Sequence, residues 1–390
     1  MIKLIKNGEV YAPEFLGKKD ILIINNKIGK IADRIDDFPS GIVSETIDAT
    51  GKKIVPGFID QHVHIIGGGG EAGFSSRIYE TKLTDFTTAG TTTVVGLLGT
   101  DGTTRNLEAL IAKARALEGE GISTYILTGS YEYPAQSLTG SVRRDVMLID
   151  KIIGTKIAIS DHRASYVTSV ELIKEASNAR VAGMLSHKPG IVTIHVGDGK
   201  NRLDPVFEAV QNSEIPIKHF IPTHINRTKE LFEHAILFAK MGGFIDFTAD
   251  TLPSASDPSS VKTSAGIKKA IKEGVCLENM TISTDGNGSW SLYDEQGNLK
   301  KIGISQMDRL HRELKDLVFK EEFSLSDALK PITSNVAKVL GIFPQKGKIE
   351  ENSDADILIL DNDLDIVSVM AKGQMMIRNG KVLKKGMYER

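Results

Sequence analysis

Short apolar runs alternate with amphipathic stretches through most of the chain. Eight runs, interpreted as buried strands, span 58–65, 91–99, 123–129, 155–160, 191–196, 219–225, 243–249 and 280–285. Stretches with helical spacing of apolar residues lie between them, at 106–118, 168–184, 228–241 and 264–273. Alternating strands and helices are typical of a parallel sheet. Eight such units predict an α/β protein with a (β/α)8 TIM barrel, and a doubly wound open sheet is the alternative.

Both ends of the chain carry short strands separated by turn residues. At the N-terminus, strand 2–5 stops before Asn7-Gly8, a dipeptide typical of a hairpin, and strands 20–24 and 27–31 flank Asn25-Asn26. After helices at 306–319 and 325–340, the latter broken at Pro331, further strands lie at 355–360, 366–371 and 375–381. Neither end is long enough for a stable domain. We expect one small β-sandwich domain from segments 1–54 and 344–390, flanking a barrel at 55–343.

Composition narrows the class of protein. Apolar residues make up 41% and charged residues 25% of the chain, as in soluble globular proteins. The net charge of −2 gives no electrostatic reason to expect a nucleic-acid or membrane partner. The N-terminal stretch lacks a signal-peptide pattern, and the single cysteine, Cys276, excludes an intrachain disulfide. We therefore expect a cytoplasmic protein.

Two histidines one residue apart lie on the first barrel strand. Alternation along this strand places His62 and His64 on one face, together with Asp60. Neutral imidazole is a common metal ligand, and the glycines at 67–70 allow the backbone to approach a ligand closely. An isolated H-x-H pattern is frequent by chance, so two solvent-facing histidines remain the simpler interpretation of this strand alone.

Other chemically active residues lie on further strands. His195 ends the fifth run, His224 the sixth and Asp285 the eighth. Lys156 lies inside the fourth run, where a buried ammonium is unfavourable unless it is paired or neutralised. Each residue alone has an ordinary structural explanation. Because the carboxyl ends of barrel strands meet at one mouth, their joint placement predicts a single site.

These residues resemble a known family. The set is similar to the metal ligands of the binuclear amidohydrolase superfamily, and segment 347–360 resembles the return of its β domain. Five motifs further resemble the isoaspartyl dipeptidases: G-G-G-G-E-A-G at 67–73, T-G-S-Y at 128–131, I-S-D-H-R at 159–163, P-T-H-I-N-R at 222–227 and S-T-D-G-N-G-S at 283–289.

The resemblance implies two Zn²⁺ ions per subunit, bridged by a carbamate on a lysine. One ion would be held by His62, His64 and Asp285, and the other by His195 and His224, with N6-carboxylysine at Lys156 between them. A hydroxide bridging the metals would attack the isopeptide bond of a β-aspartyl dipeptide. Asp285 would transfer the proton, and Tyr131 would stabilise the oxyanion.

The same resemblance implies a set of substrate-binding residues. Glu71 would pair with the substrate ammonium, while Arg163 and Arg227 would bind carboxylates. Hydrogen bonds would come from Gly69, Thr100 and Ser289. For Arg163, a structural ion pair on its loop is a serious alternative. The remaining histidines are interpreted as structural or surface residues: His162, His187, His219, His234 and His311.

Two other functions compete with this interpretation. A cyclic-amide hydrolase of the dihydroorotase or hydantoinase type would share the metals, but it would not need a carboxylate such as Glu71 for a free ammonium. A non-catalytic scaffold on the same fold would have no reason to keep all six ligands. The resemblance also implies a homo-oligomer, such as an octamer, that binds a small dipeptide and neither nucleic acid nor membrane.

Overall fold

The N-terminal strands differ from the sequence prediction at one turn. The computed structural model describes residues 2–36, 38, 44–249, 251, 259–294, 296 and 298–389. It begins with β1 (Ile2–Tyr11), β2 (Phe15–Ile24), β3 (Lys27–Ala32), β4 (Ser44–Asp48) and β5 (Lys53–Pro56). The two strands predicted on either side of Asn25-Asn26 are present as β2 and β3, which pair as a hairpin. The prediction of a hairpin at Asn7-Gly8 is wrong, because β1 continues through this dipeptide with a bulge. Asp20 stabilises the bulge by accepting a hydrogen bond from the Asn7 N–H at 2.9 Å.

Eight parallel strands form the barrel, as predicted. They are β6 (Phe58–Val63), β7 (Thr91–Gly96), β8 (Ser123–Gly129), β9 (Ile152–Ile159), β10 (Ile191–Val196), β11 (Phe220–Thr223), β12 (Ile245–Thr248) and β13 (Met280–Ser283). Neighbours in sequence are neighbours in the sheet, which excludes the doubly wound alternative. The first and last strands approach where Val63 pairs with Gly286, so the barrel is nearly closed.

Helices follow the strands on the outside of the barrel. They are α1 (Leu83–Thr87), α2 (Leu107–Glu120), α3 (Val142–Leu148), α4 (Ser169–Ser186), α5 (Asp204–Gln211), α6 (Lys229–Lys240) and α7 (Thr263–Lys272). The four predicted helices correspond to α2, α4, α6 and α7. Asn106, Thr168 and Thr228 begin three of them by accepting a backbone N–H of the first turn, which satisfies an otherwise unpaired donor. The unpredicted α1, α3 and α5 have at most eight residues, too few for a clear period.

The C-terminal part adds a hairpin, three helices and four strands. These are β14 (Ser289–Tyr293), β15 (Leu299–Ile304), α8 (Arg309–Phe319), α9 (Leu325–Leu329), α10 (Ser334–Val339), β16 (Ile357–Leu360), β17 (Ile366–Ala371), β18 (Gln374–Arg378) and β19 (Lys381–Val382). The break predicted at Pro331 is a 3-10 turn, Lys330–Ile332. Among the described residues, no helix combines the length and apolar character needed to cross a bilayer.

One sheet unites the two ends of the chain. β16 pairs antiparallel with β5, so the N-terminal and C-terminal strands form a single nine-stranded sheet. The fold class is therefore confirmed: a (β/α)8 barrel with an additional β structure from both termini. The boundaries of the expected domains, at 54 and 344, stay a prediction. The carboxyl ends of the barrel strands, which carry the candidate residues, lie at one rim.

Candidate active site

The six candidate ligands converge at the carboxyl ends of five barrel strands. They come from β6, β9, β10, β11 and the turn after β13, and they are His62, His64, Lys156, His195, His224 and Asp285. The imidazoles of His62 and His224 lie with ring centroids 4.9 Å apart, and those of His195 and His224 4.7 Å apart. The sequence-based expectation that the six share one mouth therefore agrees with the geometry.

Asp285 lies against both histidines of the first strand. Its Oδ1 is 3.0 Å from His64 Nε2 and 3.4 Å from His62 Nε2. Burial alone would raise the pKa of Asp285, but the hydrogen bond from His64 and the nearby His224 and Lys156 outweigh it and hold the pKa below its usual range. The carboxyl group is therefore ionised at neutral pH.

Asp60 holds the turn that carries Asp285. Its carboxylate is buried and accepts hydrogen bonds from the backbone N–H of Thr284 at 3.2 Å and from the Thr284 hydroxyl at 2.5 Å. Thr284 in turn accepts the N–H of Gly286. Asp285 adopts a left-handed backbone conformation, with φ of 52°, which this network stabilises. The first and last strands of the barrel are thereby tied together beside the candidate ligands.

Lys156 is fully buried among the imidazoles. Its Nζ lies 3.2 Å from His62 Nε2, and no carboxylate of the described residues lies within 4.0 Å of it. Burial lowers the pKa of Lys156 to about 7, and the charge of Asp285 offsets the loss of hydration only in part. A buried lysine without an anionic partner is unusual, and it indicates either a neutral amine or a modified side chain.

His195 uses both ring nitrogens, and His224 uses one, for hydrogen bonds within the protein. His195 Nε2 lies 2.8 Å from Asp161 Oδ2, and its Nδ1 lies 2.6 Å from the Tyr131 hydroxyl. His224 Nδ1 lies 2.7 Å from the Thr248 hydroxyl, which leaves Nε2 for the site. Burial lowers the pKa of both imidazoles, so both are neutral.

The donor set fits a divalent metal. Ligand atoms of His62, His224 and Asp285 all lie within 4.8 Å of one another. Burial also lowers the pKa of His62 and His64, and only neutral imidazole binds a metal. Four neutral imidazoles, a carboxylate and a buried lysine are the nitrogen and oxygen ligands that zinc and similar ions prefer.

Tyr131 lies next to the same donors. Its ring is buried, and its hydroxyl donates to His195 Nδ1, since Nε2 must carry the proton that Asp161 accepts. Burial raises the pKa of Tyr131, so the hydroxyl stays protonated and remains a donor. A metal bound through Nδ1 requires this hydroxyl to move away from the nitrogen.

The glycine run places Glu71 at the rim of the site. Gly67, Gly69 and Gly70 have positive φ angles of 79°, 77° and 114°. A Cβ on Gly67 would lie 2.2 Å from the Ile78 carbonyl oxygen, so no side chain fits there. Glu71 Oε1 accepts the Ser289 hydroxyl at 2.8 Å and lies 3.5 Å from the Thr100 hydroxyl.

Both arginines predicted to bind substrate lie next to the carboxylate of Asp161, which was not predicted from the sequence. Arg163 binds Asp161 bidentately, with Nε–Oδ1 at 2.9 Å and Nη2–Oδ2 at 2.7 Å. Its Nη1 lies 3.5 Å from Glu71, while Arg227 Nη1 lies 3.9 Å from Asp161 Oδ2. The ion pair considered as an alternative for Arg163 is therefore present. Asp161 lies in the I-S-D-H-R motif, and its position two residues before an arginine at a strand end was the available signal.

A cavity joins the recognition residues to the candidate ligands. It is small, with a volume of about 20 Å³, and is lined among others by His64, Gly69, Glu71, Thr100, Tyr131, Arg163, Asp285 and Ser289. Arg227 lies nearby on the turn after β11, with its side chain 31% exposed. The structure therefore brings together most of the predicted substrate-binding residues, both catalytic candidates and part of the ligand set.

The chain is similar to known proteins in both sequence and structure. The family model described as "Amidohydrolase family" matches residues 54–376. The chain is similar to a crystal structure of a beta-aspartyl dipeptidase from Fervidobacterium islandicum AW-1 in complex with beta-Asp-Leu dipeptide. The two are 42% identical, each is covered over 100% of its length, and the TM-score is 0.92.

More distant similarities connect the chain to cyclic-amide hydrolases. An L-hydantoinase of Paenarthrobacter aurescens is 25% identical over 93% of this chain and 86% of its own length. A dihydropyrimidinase structure from Brevibacillus agri NCHU1002 has a TM-score of 0.71 at 19% identity, covering 99% and 97% of the two chains, and it shares the fold. The full-length match at 42% identity is much stronger. The chain belongs to the amidohydrolase family and, within it, to the beta-aspartyl dipeptidases.

Proposed function

We propose that the protein is a metal-dependent dipeptidase that hydrolyses the isopeptide bond of β-aspartyl dipeptides. The observation that supports this most is the cavity in which Glu71 and Arg163 face Tyr131 and Asp285. It offers groups of both charges to a zwitterionic substrate next to a set of metal ligands. The similar Fervidobacterium islandicum protein was crystallised with beta-Asp-Leu dipeptide, which is consistent with this substrate class.

The metal ligands in this proposal are the six buried donors. His62, His64 and Asp285 would hold one zinc ion, His195 and His224 the other, and a carbamate on Lys156 would bridge them. The carbamate would replace an unpaired buried ammonium by an anion between cations, which accounts for the lysine's position. When bound, such ions activate a water molecule and polarise the scissile carbonyl.

Asp285 and Tyr131 are the proposed catalytic residues. Asp285 is ionised, so it can accept a proton from the attacking water and pass it to the leaving amine. Tyr131 keeps its proton and can donate a hydrogen bond to the oxyanion that develops on the scissile carbonyl. In this role the hydroxyl would exchange its hydrogen bond to His195 for one to the substrate.

Substrate recognition would rest on charge complementarity. Glu71 would bind the ammonium of the β-aspartyl residue, and Arg227 its α-carboxylate. Arg163 would bind a carboxylate while keeping its bidentate contact with Asp161. Further hydrogen bonds would come from Gly69, Thr100 and Ser289, of which Thr100 and Ser289 also contact Glu71.

The linkage specificity follows from fixed attachment points. In a β-aspartyl dipeptide the scissile carbonyl lies further from the ammonium than in the α-linked isomer. A site that binds the ammonium and the α-carboxylate therefore places only the β-linked carbonyl next to Asp285 and Tyr131. The α-isomer lacks a free carboxylate at the same position, which would leave a binding arginine poorly paired.

Two alternative functions are less well supported. A cyclic-amide hydrolase has no substrate ammonium to pair with Glu71, and over most of the chain the similarity to the L-hydantoinase and the dihydropyrimidinase is at 25% and 19% identity. A non-catalytic scaffold does not require six converging donors beside a cavity that Glu71 and Arg163 line. A cytoplasmic location and a homo-oligomer, up to an octamer, remain part of the proposal, and sedimentation equilibrium measures the latter.

The deciding assay compares β-Asp-Leu, α-Asp-Leu and dihydroorotate on purified, zinc-loaded protein. We expect turnover of β-Asp-Leu only, abolished by a chelator and restored by zinc. Glu71→Gln should lower kcat/KM for β-Asp-Leu strongly and leave the metal content unchanged. Comparable turnover of the α-isomer, or turnover of dihydroorotate alone, would contradict the substrate assignment.

A further inference from the structure

Asp161 lies where the metal ligands meet the substrate-binding arginines. Its side chain is 1% exposed and makes contacts in two directions. Oδ2 accepts hydrogen bonds from His195 Nε2 at 2.8 Å and from Arg163 Nη2 at 2.7 Å. Oδ1 accepts Arg163 Nε and the Arg163 backbone N–H, both at 2.9 Å. These four hydrogen bonds to the carboxylate therefore come from one imidazole and from the guanidinium and backbone N–H of one arginine.

We infer that Asp161 is a positioning residue that sets both the metal-binding nitrogen of His195 and the guanidinium plane of Arg163. This inference rests on the proposed function and deepens it. Because Asp161 accepts a proton from Nε2, His195 is held as the tautomer with an unprotonated Nδ1, the nitrogen that faces Tyr131 and the site. A carboxylate on the outer nitrogen of a ligating imidazole fixes its orientation and increases its basicity.

The same carboxylate fixes Arg163 for substrate. Two parallel hydrogen bonds determine the plane of a guanidinium, so only Nη1 points away from Asp161. Nη1 lies 3.5 Å from Glu71, on the cavity side. A small movement of Asp161 would therefore shift a metal ligand and a substrate-binding group together, and this couples metal binding to substrate recognition.

The backbone around Asp161 leaves no room for such a movement. A Cβ on Gly197, two residues after His195, would lie 2.6 Å from both Cα and Cβ of Asp161. Glycine at this position lets the end of β10 pack directly on the aspartate. Ser160, which precedes Asp161 at φ of 51°, is held by its hydroxyl on the Arg202 carbonyl oxygen at 2.8 Å. The fold thus places the carboxylate rigidly between its two partners.

The test uses the full-length, zinc-loaded protein with Asp161→Asn, Asp161→Glu and Arg163→Met. Zinc affinity is measured by chelator competition without substrate, and kcat and KM are measured with β-Asp-Leu. Asp161→Asn should weaken zinc binding about 10–100-fold and also raise KM. Arg163→Met should raise KM without changing zinc affinity. Asp198→Asn, a neighbouring exposed carboxylate, is the matched control and should behave as wild type.

The double variant separates positioning from a general structural effect. If Asp161 acts on substrate through Arg163, the KM increases of Asp161→Asn and Arg163→Met should not add, whereas the loss of zinc affinity should persist. Wild-type zinc affinity in Asp161→Asn, or wild-type behaviour of Asp161→Glu, which retains the charge but displaces it, would overturn the inference. Wild-type protein that does not cleave β-Asp-Leu would contradict the proposed function instead, and zinc affinity would still test Asp161.

Discussion

At the scale of single residues, Lys156 gives the sharpest test of the metal centre. The side chain is fully buried 3.2 Å from His62 Nε2. If its carbamate bridges two ions, Lys156→Ala should lose the bridge, at least one metal per chain and most of the activity. Formate or acetate should restore part of both, because a small carboxylate can replace the missing bridge. Metal analysis and turnover with and without the added carboxylate measure this, and full occupancy with normal turnover would exclude the bridge.

Tyr131 should affect the chemical step rather than binding. Its hydroxyl is expected to stabilise charge only in the transition state, so Tyr131→Phe should lower kcat by ~10²–10³-fold and change KM little. Zinc affinity should not fall, because the variant removes the hydroxyl that lies 2.6 Å from His195 Nδ1. Steady-state kinetics with metal quantification is the appropriate measurement. An unchanged kcat would mean that Tyr131 only packs against His195.

The candidate metal ligands of this site could be predicted from the sequence better than the residues that form hydrogen bonds with them. His62 and His64 follow from the alternation of side chains along one strand, and His195 and His224 from their place at strand ends. The partners Asp161 and Thr248 were not singled out, because each contacts a ligand on a different strand. Such pairs depend on the register between strands, which a single sequence does not contain.

At the scale of elements, the loop after β6 is held by one buried arginine. Arg105 is 7% exposed and donates hydrogen bonds to the carbonyl oxygens of Ile66, Gly68 and Ile78, with the last two at 2.9 Å. These carbonyl oxygens lie on both sides of Glu71 in its loop. The glycines provide the unusual backbone angles, and Arg105 selects one of the conformations that they allow.

Replacing Arg105 should therefore loosen substrate recognition without removing the metals. A lysine has a single ammonium and cannot reach three carbonyls in a planar arrangement, so Arg105→Lys should raise KM for β-Asp-Leu and destabilise the fold by about 1–3 kcal/mol. Hydrogen exchange should increase between residues 66 and 78. Arg115→Lys, at an exposed arginine on α2, is the control. Unchanged hydrogen exchange in this loop would contradict the proposal that Arg105 holds its conformation.

Elements with a long, regular pattern were predictable, and those defined by tertiary contacts were not. All eight barrel strands and the helices α2, α4, α6 and α7 lie where the apolar periodicity predicts them. The hairpin of β14 and β15 was missed, since the described residues of its strands are exposed or only partly buried and β15 carries two lysines. At Asn7-Gly8 the local turn signal was overridden, because β1 pairs with β2 on both sides of the bulge and with β5 beyond it.

At the scale of the whole molecule, the fold alone does not determine the reaction. The barrel is shared with a dihydropyrimidinase at 19% identity, so the architecture alone does not separate dipeptide hydrolysis from cyclic-amide hydrolysis. The residues that favour a dipeptide substrate are Glu71, Arg163 and Ser289 at the mouth. Glu71 and Arg163 lie on the loops after β6 and β9, whereas Ser289 begins β14, so the barrel brings together residues from three separate parts of the chain.

The terminal sheet is joined to the rest of the chain by a buried cluster of charges. Lys346, with its side chain 3% exposed, lies 2.7 Å from Asp354 and 2.6 Å from Asp356. Asp354 also pairs with Lys27 of β3 at 2.7 Å, so the cluster connects the segment after α10 with the N-terminal strands. Asp356 accepts the backbone N–H of Lys372 and lies at the start of β16. Removing one partner should leave buried charge uncompensated.

Lys346→Met should destabilise the protein by roughly 3–5 kcal/mol, because it leaves two buried aspartates without their main cation. Burial raises the pKa of Asp354, but Lys346 and Lys27 outweigh it and hold the pKa low. In the wild type this contribution is therefore present above the unfolded-state pKa of about 4 and is lost as the pH falls through the folded value. The variant should lose much of this stabilisation at neutral pH. The difference in unfolding free energy between wild type and variant should therefore shrink on acidification. Urea denaturation at pH 4 and pH 7 measures both effects, with Lys348→Met, at a more exposed pair with Glu350, as control. A difference that stays constant between the two pH values would show that Lys346 acts through packing rather than through its charge.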